Sequence, residues 1–156
     1  MLKDTPSMAK NKIRRSLASI LDPHPSTAQI SELWSYFKAS CAYCGQAIER
    51  ASRTGHLDHV ESSASGGSNS IHNHVLACAK CNGDEKRDEH WGSFLERKAG
   101  VEAPNRRKRV EAWLARAGLE SVIEPAKRAE ADAIIEQAVK SFNEAVNNMR
   151  RLRRGA

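Results

Sequence analysis

Aromatic side chains are scarce in this chain, with three Trp, two Tyr and three Phe among 156 residues. Such residues usually supply much of the buried area of a core, so aromatic packing alone is excluded as its support and another staple is expected. No stretch approaches the roughly 20 apolar residues that a membrane-spanning helix needs, so no membrane role is expected. The N-terminal region carries Lys10, Lys12, Arg14 and Arg15 where a secretory signal would need apolar residues, which points to a cytoplasmic protein. Acidic excess is also absent. Lysine and arginine number 25 against 19 acidic residues, for a formal net charge of +6 and a pI near 9.4. That balance suits a phosphate-rich partner, although many soluble proteins are equally basic.

The length fits one domain, or one small domain with helical extensions. What the chain does contain is concentrated between Cys41 and Lys86. All four cysteines lie there, in two CxxC pairs, Cys41/Cys44 and Cys78/Cys81, with four of the six histidines. In a reducing compartment such pairs bind metal more often than they form disulfides. Together they make a complete tetrahedral thiolate shell for Zn2+, and a closed shell leaves no position for water or substrate. The zinc is therefore structural, and chemistry must lie elsewhere. The competing readings are four unrelated buried thiols and a thiol-disulfide oxidoreductase.

Along the chain, residues 1–12 read as loose. A short helix fits 13–21, ending before Asp22-Pro23-His24-Pro25, because a residue preceding proline avoids helical geometry. Ser26 or Thr27 can cap a helix with Ile30, Leu33, Trp34 and Phe37 at helical spacing. Residues 56–60 and 75–77 read as short strands separated by the polar loop 61–70. Helical character is expected from Asn82, with Trp91, Phe94 and Leu95 on one face and Gly100 as its stop. Pro104 suits the first turn of the next helix, striped with Val110, Trp113, Leu114 and Ala117 and ended by Gly118. Ser121 and Glu124 have capping-box spacing ahead of the last helix. Its apolar side carries Ile135, Val139, Phe142, Val146, Met149 and Leu152, which could pack on the chain's own core or pair with a second copy as a homodimer.

Asp58 and His59 end the first strand and point to opposite faces. Asp58 is a hard oxygen donor suited to Mg2+ or Mn2+, and the Asn82 amide oxygen is a second. His59 can act on water instead, because an unperturbed imidazole titrates near pH ~6.5. A lone Asp-His pair is weak by itself and gains weight from lying between two knuckles.

These residues resemble the HNH nucleases and their ββα-metal fold. The resemblance covers roughly Cys41 to Leu95 and rests on Cys41-x-x-Cys44, Leu57-Asp58-His59-Val60, Gly66-Gly67, Asn73, and Val75-Leu76-Ala77-Cys78-x-x-Cys81-Asn82. It implies His59 as general base, Asp58 and Asn82 as ligands of one catalytic divalent metal, and Asn73 as the residue that pins the inter-strand loop and orients His59. It also implies cleavage of a DNA phosphodiester that leaves 5′-phosphate and 3′-hydroxyl ends. The third signature position is Asn82, which makes this a His-Asn-Asn variant. The lysine that often follows that position by three residues is displaced by one, to Lys86, and no role is assigned to it. His56, His72 and His74 match no signature position.

Arg106-Arg107-Lys108-Arg109 falls in the expected first turn of its helix, where the macrodipole disfavours cations. An external anion such as a nucleic-acid backbone would compensate, while a solvated basic face is the plain alternative. The expected fold is α+β: a small zinc-stabilised ββα-metal core flanked by N- and C-terminal helices, mostly helical overall. The expected organisation is a flexible 1–12, a nuclease domain with leading helices at 13–100, and a basic helical extension at 101–156. A metal-dependent DNA endonuclease is favoured. The rival is a non-catalytic zinc-dependent nucleic-acid-binding module.

Overall fold

The computed structural model describes residues 4–62, 65–87, 89–116 and 123–155. The chain divides into two compact units, residues 1–23 with 123–156, and residues 24–122.

The first unit pairs α1 (Pro6–Leu21) with α5 (Pro125–Arg154). The segment expected to be loose is helical from Pro6 onward. Thr5 accepts a hydrogen bond from the Met8 amide at 3.2 Å and Pro6 occupies the first turn. The signal lies in this cap and not in apolar periodicity, which is weak in so polar a segment. Arg14 and Glu136 form an ion pair between the two helices. Ile135 and Val139 are buried, Phe142 and Val146 are half-buried, and Met149 and Leu152 are exposed, so the apolar side of α5 is only partly covered. The capping box expected at its start rests on Ser121, which, like Ala117 and Gly118, lies outside the described residues. Glu124 is the N-cap and caps with no side-chain bond.

The second unit is an α+β core. The sheet has two antiparallel strands, β1 (Gly55–His59) and β2 (His74–Cys78), with Asp58 opposite Val75 and His59 opposite His74. Helices α2 (Thr27–Tyr36), α3 (Trp91–Ala99) and α4 (Ala103–Leu114) pack around it. Ser26 and Gln29 cap α2 reciprocally, each side chain receiving the other's backbone N–H. Leu33, Phe37, Tyr43, Leu76, Phe94, Leu95, Val110 and Trp113 make the buried centre, where the few aromatic rings are gathered. Helical winding after Cys81 takes a form the sequence does not announce. Lys80–Glu85 is a π-helical turn, and α3 begins only at Trp91.

Trp113 joins α4 to the sheet. It is fully buried against Phe37 and Tyr36, and its indole N–H donates to the His74 carbonyl at 2.8 Å. Trp113→Ala is expected to lower the unfolding free energy by about 3–5 kcal/mol. Trp113→Phe should lose less, and urea titration followed by circular dichroism measures both.

Candidate active site

The two knuckles are built by backbone turns tied to the sheet. The Gly45 amide donates to the Cys41 carbonyl at 2.9 Å and the Cys41 amide to the Gln46 carbonyl at 2.8 Å, closing the first knuckle. Ala42 N–H then bonds the Leu76 carbonyl of β2 at 2.8 Å, fixing that knuckle beside the strand that leads into the second. Gly45 has φ +76, and a Cβ there would stand 1.9 Å from Arg106 Nη2. The left-handed backbone favours glycine here, and a side chain would also have to displace the overlying guanidinium.

The sulfur atoms of Cys41, Cys44, Cys78 and Cys81 all lie within 4.8 Å of one another. Cys44 Sγ and Cys78 Sγ are 3.8 Å apart. Tetrahedral coordination with zinc–sulfur bonds of about 2.3 Å places sulfurs about 3.8 Å apart, so the cluster fits zinc in both chemistry and size. A disulfide, at about 2.05 Å, is far shorter. Burial pushes the Cys41 thiol up to about 11 against the pull of the Cys44, Cys78 and Tyr43 amides, and burial with the Cys41 charge raises Cys81 further. Burial acts upward on Cys78 too, but hydrogen bonds from Cys81 and the neighbouring thiols bring it below its ordinary value. Four thiolates in one buried site repel one another, and a dication is the natural counter-charge.

Asp58 and His59 emerge on opposite faces of β1. Asp58 is buried, and both bonds to its carboxylate fall on Oδ2: the Tyr43 hydroxyl donates at 2.5 Å and the Lys86 ammonium lies at 3.0 Å. Lys86 is only 6% exposed, which is rare for lysine without a partner, and it also donates to the His59 carbonyl at 3.0 Å. Tyr43 stands between the ligands of the first knuckle, with its ring edge-on to Phe94 at 4.9 Å. Burial, followed by the Asp58 charge, raises its phenol well above the usual range and keeps the hydroxyl a donor. Neither contact is apparent from the sequence, although a tyrosine inside a knuckle is a visible anomaly among so few aromatics.

His59 is half-buried, with Nε2 at 3.1 Å from Asn69 Oδ1. With that oxygen as acceptor, Nε2 carries the proton and Nδ1 keeps the lone pair. The His59 ring rests 4.0 Å from that of His74. His74 is buried, and its Nδ1–H donates to the Ser70 carbonyl at 2.8 Å. Burial, aided by the His59 charge, lowers its pKa to about 4, so this imidazole is neutral at physiological pH. His72 packs against Trp113, its ring tilted and its centroid 4.8 Å away. Asn69, Tyr43 and Lys86 are thus contacts of the site that sequence reasoning missed.

Asn73 closes the loop between the strands. Its amide donates to the carbonyls of Glu61 at 2.9 Å and Ser68 at 2.8 Å, and its side-chain oxygen accepts from Glu61 N–H at 3.0 Å. A Cβ on Gly67 would lie 1.9 Å from the Glu61 carbonyl oxygen and 2.8 Å from Asn73 Nδ2, so glycine is required for the loop to close against this amide. Asn82 lies in the π-helical turn, half-buried.

The basic tetrad divides. Ala103, Pro104 and Asn105 precede Arg106 in α4, so most of the tetrad lies beyond the first turn and the dipole penalty is smaller than the sequence suggests. Arg106 donates to the Cys41 carbonyl at 3.3 Å, and Arg107 pairs with Glu96 at 2.6 Å while covering Trp91. Lys108 and Arg109 are exposed.

Compared with known proteins, residues 41–88 match the family model described as HNH endonuclease. That stretch is an HNH domain. Among curated proteins no sequence matches the chain. The HNH match carries nuclease-type, metal-dependent hydrolysis of nucleic acid at the level of the family. Among the described residues the cysteine cluster is the group of side chains that could hold a metal ion, while the Asp58 carboxylate is paired with the Lys86 ammonium. Among the described residues no helix is long and apolar enough to cross a membrane.

Zinc removal should be drastic. Cys81→Ser, or stripping with a strong chelator, is expected to abolish the cooperative unfolding transition of residues 24–122, since structural zinc supplies about 10–16 kcal/mol in small zinc domains. Metal analysis and thermal melts test this. Gly67→Ala is expected to keep zinc and fold but broaden the amide signals of the 61–73 loop, as read by NMR.

Proposed function

We propose that this chain is a metal-dependent DNA endonuclease in which His59 is the general base and Asp58 and Asn82 hold one divalent metal, Mg2+ or Mn2+. The observation that carries this reading is the division of labour within the HNH domain. Asp58 is a buried carboxylate already paired with a cationic group, the Lys86 ammonium, while His59 is anchored through Nε2 with Nδ1 left to accept a proton.

In this mechanism His59 Nδ1 takes a proton from water as the water oxygen attacks phosphorus. The phosphorus–O3′ bond breaks, leaving a 5′-phosphate and a 3′-hydroxyl. When bound, the metal supplies electrophilic stabilisation of the charge developing on the phosphate and the departing oxygen. Asn69 holds the His59 tautomer, and Asn73 keeps the loop that carries Asn69 against β1. The zinc has no chemical part and fixes the backbone from which Asn82 and Tyr43 project. Lys108 and Arg109 are the residues of the basic tetrad placed to meet a DNA backbone, with Arg106 and Arg107 holding the helix that presents them. The non-catalytic binding module remains the rival, and the Asp58/His59 arrangement speaks against it because binding alone needs no oriented base.

A plasmid-nicking assay separates the two. His59→Ala is expected to retain fold, zinc and DNA affinity while cleavage falls by at least about 100-fold. Cleavage should also require added Mg2+ or Mn2+. Equal cleavage by wild type and His59→Ala under matched conditions would remove the mechanism. Lys108→Ala with Arg109→Ala is expected to weaken DNA binding at low salt and to flatten its salt dependence by about two counter-ions, as measured by fluorescence anisotropy.

A further inference from the structure

We infer that Lys86 and the catalytic divalent metal compete for Asp58, so that the site rests in a closed form in which a lysine ammonium occupies the cation's place. This deepens the metal-ligand role proposed for Asp58 and rests on it. Lys86 is buried, as are Asp58 and Tyr43, and its ammonium is fixed by two oxygen acceptors 3.0 Å away, Asp58 Oδ2 and the His59 carbonyl. A dication brought to the same carboxylate would stand beside this ammonium in a site largely removed from water, where like charges repel strongly. The two cations therefore exclude one another, and the lysine leaves when the metal enters.

The local winding makes such an exchange feasible. Lys86 N–H bonds the Cys81 carbonyl at 3.1 Å, an i to i+5 bond that closes the π-helical turn beginning at Lys80. One end of that turn is fixed by a cysteine of the zinc shell, while the other carries Lys86 immediately before Arg87, whose φ is +45. The lysine thus sits at the end of an anchored turn, beside a residue whose backbone already lies in the left-handed region.

Equilibrium binding of Mn2+ to the zinc-loaded full chain, read by the loss of the free-ion EPR signal, tests the competition. Lys86→Met is expected to bind Mn2+ about tenfold more tightly or better than wild type, since removing a like charge from beside a dication is worth at least that factor. Asp58→Asn should abolish the binding in either background. Equal or weaker Mn2+ binding by a folded, zinc-replete Lys86→Met would overturn the inference and show that Lys86 supports the metal or ignores it. If neither wild type nor Lys86→Met binds Mn2+, the role given to Asp58 fails and the inference fails with it. Because Lys86→Met leaves a buried carboxylate without its partner and could unfold, a second measurement uses wild type alone. Acylation of Lys86 by an amine reagent, followed by peptide mass spectrometry and normalised to the exposed Lys80, is expected to accelerate several-fold when Mg2+ is added. An unchanged or slower rate, in protein whose Mn2+ binding depends on Asp58, would overturn the competition and leave the metal site standing.

Discussion

The closed shell of four cysteine sulfurs is the constraint on which the HNH domain depends. Two short strands and a few helices with so few aromatic residues bury a modest core, and the two knuckles tie together segments more than thirty residues apart. Each knuckle does more than hold metal. The first is bonded to β2 through Ala42 and sends Tyr43 to Asp58, and the second opens into the turn that carries Asn82 and Lys86. The cysteine shell and the Asp58 carboxylate are therefore joined through only a few covalent bonds and the Tyr43 hydrogen bond.

The two faces of β1 give Asp58 and His59 different surroundings. Alternation along a strand places neighbouring residues on opposite sides, so Asp58 meets a buried cationic partner while His59 meets imidazole and amide. Placed back to back, they share a backbone and differ in environment. His74, kept neutral by burial, packs on His59 without placing a positive charge beside it.

What could be read from the sequence followed from how local its cause was. The cysteine cluster, the Ser26 start of α2 and the two short strands depend on residues close together in the chain, and their spacing announces them. The Pro6 start of α1 was hidden because its signal is a cap in a polar segment. The π-helical turn was hidden because the residues between Cys81 and Lys86 could equally have formed a loose bend. The contacts of Tyr43, Asn69 and Lys86 were hidden for a different reason: each is made with a partner brought near by the tertiary fold. The basic tetrad shows the same limit in reverse. Four adjacent cations look alike in the sequence, yet packing turns Arg106 onto the knuckle and Arg107 onto Trp91 and leaves the other two facing outward.

The bond from Lys86 N–H to the Cys81 carbonyl has a consequence for length variation. An α-helical turn between the same two anchor points would hold one residue fewer, because its bonds span four residues and not five. Winding thus absorbs a change in chain length that would otherwise swing the following side chain by about 100° around the helix axis. A backbone with that freedom can deliver a lysine to one carboxylate from either of two sequence distances, so the spacing after Cys81 is a poor ruler for function and the position of the ammonium is a good one.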